Sequence, residues 1–198
     1  MINEFDYDKL SKEFQEAQPF RHVVIDNFFD DVSLVVFPGG FGDADSFDTI
    51  LKPNKDNIIK FVNSGGKYLG ICMGAYWAGK HYFDILEETR VQQYIKQPGT
   101  DTHRPHPKAI SINWQGYDRK MYFYDGCAIT GDRTNFETIA TYANGDPMAV
   151  IQNRIGLIGC HPESEEFWYD KPSWMKGHYH GGQHHQLLQN FVDTLMQR

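Results

Sequence analysis

The stretch Gly70-Ile71-Cys72-Met73-Gly74 sets one thiol between two glycines, each two residues away. A cysteine attacks carbonyl carbon through its thiolate, and small neighbours permit the sharp strand-to-helix turn that presents such a side chain. The KYL run just before the motif makes 67–72 a strand that ends at the thiol, and a helix is expected from Met73 to about Lys80. The positive end of that helix would favour the thiolate. A cysteine nucleophile needs a base, and the base needs a partner that fixes its tautomer. His161 and Glu163 supply both residue types two positions apart, with Pro162 stiffening the link. Pro38-Gly39-Gly40 adds a backbone free to turn its N–H groups, together with that of Met73, towards an oxyanion. Each feature alone has a plainer reading: a small buried cysteine, a chance His and Glu in a surface loop, an ordinary turn. Their order, each closing an expected strand, is what points to chemistry.

Those strands come from apolar runs. SLVVFPGG (33–40) and KYLGIC (67–72) are near-continuously apolar, as in strands buried on both faces of a parallel sheet. KDNIIKFVNS (55–64) between them reads as a helix closed by Gly65-Gly66. Further strands are expected over 108–114, 120–126, 137–142, 147–152 and 154–160, with an amphipathic helix over 183–197. Near the N-terminus, 5–17 has helical spacing of Phe5, Leu10, Phe14 and Ala17, and 22–28 reads as a strand. Alternating strands and helices give an α/β sheet with helices on both faces, and the second half adds antiparallel strands. In a parallel sheet the strand C-termini share one edge, so PGG, GICMG and HPE can converge there.

The 198 residues suit one domain with a sizeable core. A net charge of -7 makes nucleic acid an unfavourable partner. Three widely spaced cysteines do not form a disulfide framework, which suggests a reducing compartment. The polar N-terminus and the absence of a long apolar run suggest neither a signal peptide nor a membrane span, so a cytoplasmic protein is expected.

The stretches LVVFPGG, FVNSGGKYLGICMGAYWAG, MYFYDGCAI and ETIATYANGDPMAVIQNRIGLIGCHPE cover most of 33–165. On them the chain resembles the class I glutamine amidotransferase-like superfamily, most closely the N-terminal domain of biotin-protein ligases, which also occurs as a stand-alone protein. The resemblance implies a flavodoxin-like three-layer sandwich with a mostly parallel central sheet, in a single domain over 1–198. It implies Cys72 as nucleophile, His161 as base and Glu163 as its orienter, with Gly39, Gly40 and Met73 forming an oxyanion hole. Amide hydrolysis or amide-nitrogen transfer through a thioester is the implied chemistry, on a small amide and with no cofactor or metal. A partner synthetase or a homo-oligomer is the kind of partner implied. Two departures stand out. Tyr76 and Trp77 occupy the region where glutamine amidotransferases usually carry a glutamine, so both become substrate-binding candidates, with Asp125. The strand that normally precedes the first helix is missing or shortened. An inactive binding or regulatory module of the same type is the alternative.

The run GHYHGGQHHQ (177–186) matches no structural zinc spacing and reads as a solvated loop and helix start. Asp43 and Asp45, after the PGG turn, read as a hydrated loop or as contacts to a polar substrate.

Overall fold

The computed structural model describes residues 32–40, 47–49 and 51–198. The helix expected over 5–17, the strand expected over 22–28, the question of a missing first strand, and Asp43 and Asp45 lie outside the described residues. The chain divides into a unit over Met1–Ser33 and one over Leu34–Arg198.

The strands of the second unit are β1 (Leu34–Phe37), β2 (Lys67–Ile71), β3 (Thr89–Gln93), β4 (Lys108–Trp114), β5 (Tyr117–Phe123), β6 (Cys127–Gly131), β7 (Glu137–Tyr142), β8 (Pro147–Gln152) and β9 (Ile155–Ile158). Among its described α-helices are α1 (Lys55–Asn63), α2 (Met73–Trp77) and α3 (Gln183–Met196). The main sheet runs β1-β2-β9-β8-β7-β4-β5. β1, β2 and β9 are parallel, with Phe37 opposite Gly70 and Ile71 opposite Ile158. Their C-terminal ends therefore lie side by side, and the chain leaves them into Pro38-Gly39-Gly40, Cys72 and Gly159 to Glu163. The remaining pairings are antiparallel, the additions expected of the second half.

Strand periodicity distributes the apolar residues between two faces. Tyr68, Ile155 and Leu157 pack with Ile58 and Val62 of α1 in one layer. Leu69, Ile71 and Ile158 pack with Phe191 and Leu195 of α3 in the other. Gly156 lets α3 approach: a Cβ there would lie 2.6 Å from the Phe191 ring and 3.0 Å from Leu195. Fully burying side chains such as Phe191 and Leu195 contributes about 1.5–3 kcal/mol each. α1 ends as its glycines predict. Gly65 has φ +107, its N–H bonds to Val62, and the Gly66 N–H reaches back to Phe61, which satisfies the last carbonyls.

Three boundaries differ from expectation. The strand expected over 120–126 runs instead over Tyr117–Phe123, because Gln115 and Gly116, both with positive φ, form a two-residue hairpin between Trp114 and Tyr117. β3 and β6 form a separate two-stranded sheet that the hydrophobic pattern did not signal. β3 is TRVQQ, mostly polar and only partly buried, and its place is set by pairing with β6. α2 is five residues long and stops at Trp77 rather than near Lys80, where i→i+3 bonds from Ala78 and Gly79 tighten its last turn. Among the described residues no helix is long and apolar enough to cross a membrane.

Candidate active site

Cys72 has φ 48 and ψ −102, a conformation that costs a non-glycine residue about 1–3 kcal/mol. It persists because its neighbours over-determine it. The Cys72 N–H donates to the Ile158 carbonyl at 2.8 Å, and its own carbonyl accepts from Ala75 and Tyr76. Both flanking glycines are needed for space. A Cβ on Gly70 would lie 2.4 Å from the Gly74 carbonyl oxygen, and one on Gly74 would lie 1.9 Å from that of Phe37. The buried Tyr68 hydroxyl donates to the Gly74 carbonyl at 2.7 Å, tying the start of α2 back to β2. The elbow is thus wedged between the ends of β1 and β2.

His161 and Glu163 come after β9. His161 is 4% exposed, and its Nδ1 lies 2.9 Å from Glu163 Oε1. With the carboxylate ionised, Nδ1–H donates and Nε2 is left to face elsewhere. Among the described residues Nε2 makes no hydrogen bond of good geometry, and neither does Glu163 Oε2. Burial disfavours the charged ring, but interaction with Cys72 and Glu163 outweighs it and raises the His161 pKa from 6.5 to about 10. His161 and Cys72 both border the cleft described below, and catalytic hydrogen bonds that are absent before substrate binds commonly form when it does. Gly39 completes the packing: a Cβ there would meet the His161 ring at 2.3 Å and Glu163 Oε1 at 3.2 Å.

Gly39, Gly40, Cys72 and His161 border one cleft of about 470 Å³. Tyr122, Tyr124, Phe167, Trp168 and Pro107 are the other described residues of its wall. Tyr122 and Trp168 set ring edges against His161, with centroids at 5.6 and 5.4 Å. Among the described residues, the N–H groups of Gly39, Gly40 and Met73 have no hydrogen-bond acceptor. No group of three or more His, Cys, Asp or Glu among them is arranged to hold a metal ion.

Residues 20–93 match the family model for the N-terminal region of biotin-protein ligase. No curated protein sequence matches the chain. A solved glutamine amidotransferase from Thermotoga maritima shares 12% identity at a TM-score of 0.62, covering 89% of this chain and 83% of its own. A second glutamine amidotransferase shares 17% identity at a TM-score of 0.59, over 86% and 82%. PurLQS from Thermotoga maritima shares 15% at 0.54, over 82% and 81%. The chain has the class I glutamine amidotransferase-like fold. It is a flavodoxin-like α/β arrangement in which the described β1, β2 and β9 supply the parallel strands that end at the cleft.

Within this fold the three residues expected to contact substrate do not line the cleft. Trp77 is in the core against Phe37 and Phe47, because a five-residue helix turns it inward. The Tyr76 hydroxyl is committed to the Asp125 carbonyl at 3.1 Å. Asp125 Oδ2 accepts from Gln93 at 2.8 Å, while its Oδ1 is buried with no partner among the described residues. The cleft wall comes instead from Tyr122, Tyr124, Phe167 and Trp168. Nor is the histidine run merely a solvated loop: His184 is buried and hydrogen-bonded to Ser164, next to Glu163.

Gly39→Ala should destabilise the protein by about 1–3 kcal/mol through overpacking against His161. Gly177→Ala, where nothing lies within 4 Å, should stay within about 0.5 kcal/mol. Denaturant midpoints check both. Because the folded His161 pKa is raised to about 10 from 6.5, its protonation stabilises fully below pH 6.5 and loses that effect as pH rises towards 10. Thermal melts should therefore show a stability difference between wild type and His161→Gln that shrinks from pH 6.5 to pH 10. A constant difference would contradict the raised value.

Proposed function

We propose that the protein is a cysteine-dependent amide hydrolase or amidotransferase acting on a small amide. The observation that carries this reading is that Cys72 and His161 border one cleft, with His161 Nδ1 hydrogen-bonded to Glu163 behind it and the ring Nε2 unpaired among the described residues. In the reaction, Cys72, with its proton on His161 Nε2, attacks the amide carbon as the thiolate while the developing oxyanion is held by N–H groups of Gly39, Gly40 and Met73. The C–N bond breaks as His161 gives its Nε2 proton to the leaving nitrogen, and ammonia or an amine departs from a thioester. Water then attacks, its proton passes to His161, and the C–S bond breaks to release the acid and the thiolate. Glu163 holds the ring in the required tautomer throughout. In the transfer version the released nitrogen passes to an acceptor, which a partner synthetase would supply.

The wall supports an uncharged amide with a flat or apolar part over free glutamine. Among the described residues no Lys, Arg, Asp or Glu lines the cleft, so none of its described wall pairs with an α-ammonium or α-carboxylate. That same feature, with the match over 20–93, also favours a second reading: a binding module of the biotin-protein ligase N-terminal type.

2-Chloroacetamide, an electrophilic amide analogue, separates the readings. Cys127 and Cys160 are 0% exposed and should not compete for it. Fast single labelling of wild type, lost in Cys72→Ala and slowed roughly a hundredfold or more in His161→Gln, is the enzymatic expectation. Labelling equal in wild type and Cys72→Ala would end that reading and leave the binding module.

A further inference from the structure

The turn that carries His161 and Glu163 is held from outside the strand ends by residues without a role so far. Ser164, fully buried, comes directly after Glu163. Its N–H bonds back to the His161 carbonyl at 3.1 Å, which closes the 161–164 turn. Its carbonyl lies 2.7 Å from His184 Nε2 and 3.0 Å from His185 Nε2. A carbonyl oxygen only accepts, so both imidazoles must present Nε2–H there, one to each lone pair.

The contacts continue to the other side of the site. Ser164 Oγ lies 3.0 Å from the Tyr169 hydroxyl, and that oxygen accepts the Tyr122 N–H at 3.1 Å. The Tyr122 carbonyl accepts the His161 N–H at 3.0 Å. A closed path thus runs from the first turn of α3 through Ser164, Tyr169 and Tyr122 back to His161. The groups facing His184 are Ser164, Tyr169, Tyr179, His185 and the carboxylates of Glu163 and Glu165. Burial, the largest influence, lowers its pKa and keeps the ring neutral, the form that presents a single fixed donor.

We propose that His184 and His185 are positioning residues for the His161–Glu163 pair: by donating together to the Ser164 carbonyl they fix the 161–164 turn and so the alignment of Glu163 on His161. This rests on the catalytic reading of Cys72 and His161 above. Misalignment of such a pair by a fraction of an ångström to 1 Å lowers reactivity up to about a hundredfold.

The test is the pH profile of 2-chloroacetamide alkylation at Cys72, read by mass spectrometry in the full chain. His184→Leu and His185→Leu remove the donors, whereas His184→Gln and His185→Gln keep an N–H near the same place. His185 is only half-buried, so its variants stay informative if His184→Leu does not fold. The expected result is that His185→Leu slows alkylation roughly tenfold or more and moves the pH profile towards that of His161→Gln, with His185→Gln restoring both. Leu variants with the wild-type profile, while His161→Gln alters it, would overturn this inference alone. If His161→Gln itself leaves the profile unchanged, the catalytic reading fails and this inference falls with it.

Discussion

The carbonyl of Phe37 stands where any side chain at position 74 would have to go, and the His161 ring stands where one at position 39 would go. These two close approaches are the constraint on which the rest depends. They exist because β1, β2 and β9 run parallel and in register, so that three chain exits share one short edge of the sheet. Nothing larger than hydrogen fits at Gly39 or Gly74 without moving His161 or Phe37. The strained backbone of Cys72 has its origin in the same geometry: its N–H is held by the end of β9 while its carbonyl starts α2.

Electrostatics then act on a fixed arrangement. A buried imidazole is ordinarily neutral. For His161, interaction with Cys72 and with the Glu163 carboxylate on Nδ1 reverses that preference. The aromatic wall of Tyr122 and Trp168 keeps water from the ring, which strengthens both interactions. Cys127 and Cys160 share the neighbourhood but lie fully buried, and burial holds their thiols well above the ordinary value. Of the three thiols, only Cys72 borders the cleft.

Much of this was legible in the chain. The runs LVVF, KYLGI and IGLI announce buried strands, and each is succeeded at once by one of the motifs, so the shared edge could be inferred from alternation alone. The Gly65-Gly66 stop of α1 and the apolar stripe of α3 were equally readable, because local geometry decides them. What was not legible depends on distant pairing. TRVQQ carries no period of its own and becomes a strand only against β6. Trp77 next to a motif suggests a pocket wall, but the length of α2 decides which way it turns. His184 and His185 look like part of a polar run, and only the return of α3 to Ser164 gives them partners.

One imidazole ring placed between one thiol and one carboxylate is the centre of the proposed chemistry. The most direct measurement is the NMR titration of the His161 ring in wild type, Cys72→Ala and Glu163→Gln. The wild-type ring should stay protonated through neutral pH, with a midpoint of about 10, and each substitution should lower it. A wild-type midpoint near 6.5 that neither substitution moves would show that the three groups do not act on one another.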